Sequence, residues 1–463
     1  MRRSWKALAI GGLTLSILLG GAFGDRLLAL TDEARDGLRL YTELLTVAHQ
    51  NYGEEVEFRD LVYASIQGML RTLDPHTSFL PPEAYDSMRD RQQTSFYGLG
   101  ILVGIRNGAL TVISPLEGTP AARLGIRAGD VISTIEGEPT ETLSLDEAVQ
   151  KLKGPKGTQV NITIVRRGLE EPLPFTVTRA EIPQTTVRYA YMLDAETGYM
   201  LVSDFARGTG GEVERAIEQL KDRGMKRLLV DLRNNGGGLL DQAIDVADQF
   251  VPKGSKIVET RGRARDSFQE YLAAGEHPDL AIPVVVVVNA GTASAAEILA
   301  GAIQDHDMGL IVGSPTWGKG LVQTVYGLSY GAGLALTTAK YYTPSGRLIQ
   351  RDYTSFFDYY YNHPDAPPID PDPASQYLTD LGRKVYGGGG ITPDVIAKPA
   401  ETPPYFQFLL ARNAFFDFVV DWNSGPHPPI TSRDWQPAPE ILAEFRAWGL
   451  GEKLGTAEEL AKG

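Results

Sequence analysis

"IPVVVVVNAGTASAAEILAGAIQDH", Ile282 to His306, decides how the rest of the chain is read. Five valines in a row form a short β-branched apolar run, the pattern of a strand buried on both faces. "TASAAEILAGAIQDH" then reads as a helix. A buried strand passing into a helix through small residues is the joint of an α/β unit. Ser294 sits at that joint, and its neighbours are small enough for a substrate backbone to come close. The first turn of a helix carries N–H groups with no intrahelical partner. The Ala295 N–H beside Ser294 is therefore a candidate donor to an oxyanion. The competing reading is plain capping of the helix by Thr292 or Ser294.

Outward from this joint the same alternation continues. "GYMLVSDF" and "KRLLVDLR" read as strands, "GGEVERAIEQLKDRG" and "LLDQAIDVADQFV" as helices. "GLIVGS" is a further strand, and "GLALTTAKYYTP" closes a core of residues 181–350 whose sheet is covered on both faces. The preceding block, residues 97–180, changes period. "YGLGILVGIRNGALTVIS" reads as two strands about an Asn-Gly turn, and a Glu-Gly hairpin follows. "SLDEAVQKLKG" is a helix with a Ser144–Glu147 capping box. This is a compact β-rich domain inserted before the core.

Residues 25–96 are helical, with apolar spacings of three and four in "LRLYTELLTVAHQNY" and "FRDLVYASIQGMLRTL". "LDPHTSFLPPEAY" breaks the pattern with three prolines. Residues 351–400 form an irregular insertion rich in Tyr, Pro and Asp, with a return segment to the core. Residues 401–463 are helical and polar. The expected fold is an α/β multidomain protein with helical segments at both ends. Those helices suit packing within one chain or against a second copy equally well. Residues 1–24 carry a basic start (Arg2, Arg3, Lys6), an uncharged stretch and "AFG". They read as an export signal, cleaved or kept as an inner-membrane tether, which puts the body in the periplasm.

Composition excludes several classes. The 463 residues suit about two to four domains, and 43% apolar content suffices for a large core. A net charge of −14 argues against a nucleic-acid partner. The absence of cysteine removes disulfides, thiol catalysis and cysteine-ligated zinc. Six scattered histidines without HExxH offer no metal site, and no cofactor is expected.

Three small-residue stretches follow predicted core strands: "DLRNNGGG" (231–238), "NAGTASAAE" (289–297) and "GSPTWGKG" (313–320). Open α/β sheets place their sites at these carboxyl ends. "GSPTWGKG" has the glycine and lysine spacing of a P-loop. It lacks the Ser or Thr after Lys319, Pro315 removes an N–H, and a strand-like segment follows where a helix is required. Lys319 is then either a surface-turn lysine or a general base. A desolvated lysine is neutral and can take a serine proton. No histidine competes well. His306 lies 12 residues past Ser294, about 18 Å along a continuous helix. "DLRNNGGG" offers backbone N–H groups that a substrate carbonyl can approach.

The motifs "LDPHTSFL", "YGLGI", "SPLEGTPAARLGIRAGDVI", "DLRNNGGG", "NAGTASAAEI", "GSPTWGKGLVQ" and "GGGGITPDV" together resemble those of the carboxy-terminal processing proteases, over residues 31–396. The resemblance implies an endopeptidase acting near the C-termini of exported proteins, with Ser294 as nucleophile, Lys319 as base and Gln323 orienting the lysine. In a straight strand, positions 319 and 323 stand about 13 Å apart, so that contact needs a bend at Gly320. It also implies an oxyanion hole of Ala295 N–H and one glycine of 236–238, with Gly237 taken as the donor. The block at 97–180 becomes a PDZ domain, in which Leu99, Gly100 and Ile101 hold the carboxylate of a substrate tail. Protein substrates with accessible tails are the implied partners, and a second copy or a regulatory adaptor remains open. Gly236 stands where the family often has proline, and Lys153 where arginine is frequent.

Overall fold

The computed structural model describes residues 32–93, 95–275, 282–361, 375–398, 401–425, 427, 436–456 and 459. The expected leader at 1–24 and residues 362–374 of the insertion lie outside them. The described chain forms two units. The smaller combines residues up to Tyr85 with Gln323–Thr337, and the larger combines Asp86–Val322 with Thr338–Gly463.

In the larger unit the valine run is a central strand. Thr197–Val202, Arg227–Asp231, Val284–Val288, Gly309–Gly313 and Val395–Ile396 run parallel in that order. Val187–Met192 adds an antiparallel edge. The last parallel strand comes from the segment expected to return to the core. "GLALTTAKYYTP" does not join this sheet. Its residues 339–342 pair antiparallel with Glu259–Gly262 of a separate sheet. Its buried positions, Gly333, Ala335, Ala339 and Tyr341, alternate with partly exposed ones, as suits a strand covered on one face.

Helix Ala295–Asp305 is buried at every residue. A helix enclosed all round needs partners for its polar side chains. Arg347, with no exposed surface, pairs with Asp305 at 2.7 Å and donates to Gln304 Oε1 at 2.7 Å. These bonds tie the segment after residue 343 to the far end of the helix that begins beside Ser294.

The inserted domain is a sheet in the order Ile101–Arg106, Ala109–Pro115, Val131–Ile135, Gln159–Val165, Leu173–Thr178. Asn107 and Gly108 both take positive φ (50° and 78°), which a two-residue type I′ turn requires. Helix Leu145–Leu152 begins with both halves of the expected capping box: Ser144 N–H donates to Glu147 Oε2 (2.8 Å) and Glu147 N–H to Ser144 Oγ (3.3 Å). Ser95–Gly98 pairs with Ala180–Pro183 and brings the two ends of the domain together. Helices Ala414–Ser424 and Pro439–Gly451 meet where Phe415 stacks on Phe445 and Phe418 meets its ring edge-on, and Phe416 lies under the Arg106 guanidinium.

In the smaller unit, Leu70 of helix Phe58–Leu70 packs with Phe79 and Ala332. Ser78–Leu80 pairs antiparallel with residues 333–335.

Candidate active site

Three loops leave the carboxyl ends of adjacent parallel strands, and hydrogen bonds join them. Thr292 Oγ1 donates to the Leu232 carbonyl (2.8 Å) and the Ala293 N–H to the Asn235 carbonyl (2.9 Å). Asn234 and Asn289 bond each other twice at 2.9 Å. The Trp317 N–H reaches the Thr292 carbonyl (2.9 Å). The convergence expected of "DLRNNGGG", "NAGTASAAE" and "GSPTWGKG" is therefore present.

Ser294 heads its helix with φ 56° and ψ −116°. A non-glycine residue in this region carries strain of about 1–3 kcal/mol and persists only where its surroundings enforce it. The sharp strand-to-helix turn is the device that lifts a nucleophilic serine out of a sheet, here built without the G-x-S-x-G pattern. Ser294 is also the N-cap of its helix and shares a capping box with Glu297. Thr292 is engaged with Leu232 and accepts from the Asn289 N–H (3.0 Å). The Glu297 N–H bonds the Ser294 carbonyl (2.8 Å). The Ala295 N–H has no acceptor among the described residues.

Lys319 is half-buried, as is Ser294. The two meet through Glu297. Its Oε2 accepts from both the Ser294 N–H (2.8 Å) and the Lys319 N–H (2.9 Å). One oxygen bonding both nitrogens holds the two backbones within two hydrogen-bond lengths of each other. Oε1 accepts from the Gly318 N–H (2.8 Å) and from the Thr316 hydroxyl. Burial pushes the Glu297 carboxyl up, and these four donors oppose that rise. Tyr341 makes a second clamp from the carbonyl side: its hydroxyl faces the Ser294 carbonyl (3.0 Å) and the Lys319 carbonyl (2.6 Å). Burial, and then the Glu297 charge, hold that phenol well above its usual pKa, so it remains a donor. The same bonds dispose of the P-loop reading, since the Gly318 and Lys319 N–H groups point at a carboxylate.

Glu297 and Tyr341 were not anticipated. Glu297 had a signal, because "SAAE" has the Ser-x-x-Glu spacing of a capping box. Tyr341 lies 47 residues from Ser294 and had none.

Gly237 has φ 98°, and an added Cβ would lie 2.7 Å from the Ala293 carbonyl oxygen, 2.8 Å from Ser294 Cβ and 2.9 Å from the Ala295 nitrogen. It thus abuts Ser294. Its N–H donates to Asn235 Oδ1 (2.9 Å), so the free donor expected there is already engaged. The Gly236 and Gly238 N–H groups have no acceptor among the described residues. Gln323 belongs to the smaller unit, on strand Leu321–Gly327, where its Nε2 donates to the His76 carbonyl (2.7 Å). Asp74 shapes that turn by accepting from the His76 and Thr77 N–H groups at 2.8 Å. His306 caps its helix and bonds Asp380 and the Lys256 carbonyl, each at 2.7 Å. The insertion acquires a contact as well: the Arg351 guanidinium lies over Trp317 (5.0 Å) and Tyr359 (4.8 Å), against the turn that carries Lys319.

In the inserted domain Leu99 is buried, and Gly100 has φ 76° with space only for a hydrogen: a Cβ would meet Thr119 Cβ at 2.2 Å. The Leu99 and Gly100 carbonyls accept from Ala121 and Leu116, while their N–H groups find no acceptor among the described residues. Ile101 opens a strand with one pairing edge vacant in the sheet order.

A strained serine at a strand-to-helix joint, clamped to a lysine-bearing turn and accompanied by a peptide-binding type of sheet, belongs to the serine-type peptidases. Residues 196–355 match Peptidase family S41 and residues 111–166 match the PDZ domain. A carboxy-terminal-processing protease of Bartonella bacilliformis is 42% identical over 295 residues, 63% of this chain and 67% of that one. Carboxyl-terminal-processing proteases of Synechocystis sp. (42% over 301 residues, 63% and 69%) and Picosynechococcus sp. (34% over 365 residues, 73% and 86%) are similar. The chain belongs to the carboxy-terminal processing protease family, with a PDZ domain and a mixed helix and strand protease core.

Proposed function

We propose that this protein is an endopeptidase that cuts exported proteins near their C-termini by Ser-Lys catalysis. The observation that carries this reading is the single Glu297 oxygen bonded to the backbones of both Ser294 and Lys319. In the reaction, the neutral Lys319 amine takes the Ser294 proton as Oγ attacks the scissile carbonyl carbon. The Ala295 N–H donates to the resulting oxyanion. The Gly237 N–H joins it by sharing its hydrogen with Asn235 or leaving it. The Lys319 ammonium then protonates the departing amine, and water, deprotonated by Lys319, hydrolyses the ester on Ser294.

The PDZ domain holds the substrate tail. The Leu99 and Gly100 N–H groups receive the terminal carboxylate, and the tail adds as a strand beside Ile101. Gly100→Ala is expected to weaken binding of a fluorescent tail peptide more than tenfold in polarisation, to the level of a C-terminally amidated peptide. Unchanged affinity would remove the carboxylate loop from the reading. A leader at 1–24, cleaved or kept as a tether, supports a periplasmic location for this reading.

The test of the whole reading is mass spectrometry of a tailed protein incubated with wild type or with Ser294→Ala. Cleavage within the C-terminal region by wild type alone is expected. Equal cleavage by both proteins rejects the assignment.

A further inference from the structure

Glu297 has no exposed surface, and no step above uses it. Both of its oxygens face donors: three backbone N–H groups and the Thr316 hydroxyl. A carboxylic acid proton placed on Oε2 would find only N–H donors opposite it, and on Oε1 it would displace the bond that the Thr316 hydroxyl donates. The ionised form is the one that the arrangement satisfies. A carboxylate is thus enclosed beside both reacting residues.

We propose that Glu297 is a positioning residue for the Ser-Lys pair, fixing both backbones and setting the pH at which Lys319 becomes a base. The inference rests on the Ser-Lys reading above. The Lys319 amine is tethered to the same backbone nitrogen that Oε2 holds, so it stands within about 10 Å of the carboxylate. At that range, in partly buried surroundings, one charge moves a titration by about one pH unit. The sign follows from the chemistry: a carboxylate favours the ammonium form. It therefore raises the pH needed to free the amine, and it stabilises the ammonium that forms as the serine proton is transferred. The other titratable groups acting on Glu297 are the Tyr341 phenol and the Arg351 guanidinium, with Tyr359 behind both. Arg351 opposes the carboxylate, and the Tyr341 phenol, held well above its usual pKa by burial, is neutral over the working range.

The experiment follows the rate at which a fluorophosphonate labels Ser294 as a function of pH. In that reaction the Oγ–P bond forms, the P–F bond breaks, fluoride leaves and the serine proton passes to Lys319. Wild type is expected to show a rate that rises through one midpoint. Glu297→Gln, checked for folding by thermal unfolding, moves the midpoint down by about one pH unit and lowers the plateau more than tenfold. Thr316→Val removes the donor that most opposes protonation of the buried carboxyl, so its midpoint moves in the same direction as that of Glu297→Gln, down, and by less; this variant decides the matter if Glu297→Gln does not fold. An unmoved midpoint in Thr316→Val, or in a folded Glu297→Gln, overturns the role of Glu297. Lys319→Ala separates the two ideas. Labelling at the wild-type rate and midpoint removes the Ser-Lys reading itself, whereas a silent Lys319→Ala with unmoved midpoints in the other two removes only Glu297.

Discussion

Ser294→Ala and Lys319→Ala are each expected to lower cleavage of a tailed substrate by on the order of 10³-fold or more. The double variant should lose little further, because nucleophile and base act on one step and their effects do not add. Thermal unfolding should stay close to wild type. Both side chains are half-buried, and the bonds that hold the site use the backbone of residues 294 and 319, which alanine keeps. Relief of the Ser294 backbone strain is not expected, since alanine is no better suited to φ 56°. Initial rates with a quenched peptide, together with calorimetry of each variant, measure both halves. A Lys319→Ala enzyme with full activity would remove lysine as the base.

Gly237→Ala should cost on the order of 100-fold in cleavage while tail-peptide binding to the PDZ domain is unchanged. The new methyl would lie under 3 Å from three atoms, among them Ser294 Cβ and the Ala295 nitrogen. It also forces a side chain onto φ 98°, where only glycine is at ease. The chain can relieve the overlap only by displacing Ser294, the Ala293 carbonyl or the Ala295 N–H. A displacement near 1 Å is enough for a loss of about 100-fold. Wild-type kcat/KM in a correctly folded Gly237→Ala protein would mean that the glycine loop stands farther from the serine than these contacts indicate.

Much of the architecture is legible along the chain. The valine run, its helix and the alternation around them follow from local hydrophobic pattern. So do the Asn-Gly turn and the Ser144–Glu147 capping box, whose partners are at most three residues apart. Where a strand's partner comes from a distant segment, pattern alone is silent. Residues 339–342 and Val395–Ile396 show this, the first leaving the core sheet and the second joining it.

The site divides in the same way. Ser294 announces itself because its position at a strand-to-helix joint is local, and Lys319 because a glycine-flanked lysine without a phosphate cradle calls for explanation. Gln323 came only through family resemblance. What the sequence by itself determined was a candidate nucleophile, a candidate base and the order of the β-rich block and the α/β core, since each depends on residues close together in the chain. Tertiary structure alone decided how the two reactive residues are brought together. Glu297 sits three residues from Ser294 but 21 and 22 from the Gly318 and Lys319 N–H groups that it also accepts. Tyr341 joins two carbonyls that are 25 residues apart in the chain. The Glu297 bonds exist because adjacent parallel strands end at the same edge of one sheet, and the Tyr341 bonds because a strand of a separate sheet runs beside the Lys319 turn, the Tyr341 N–H donating to the Gly320 carbonyl (2.9 Å); no local pattern specifies either.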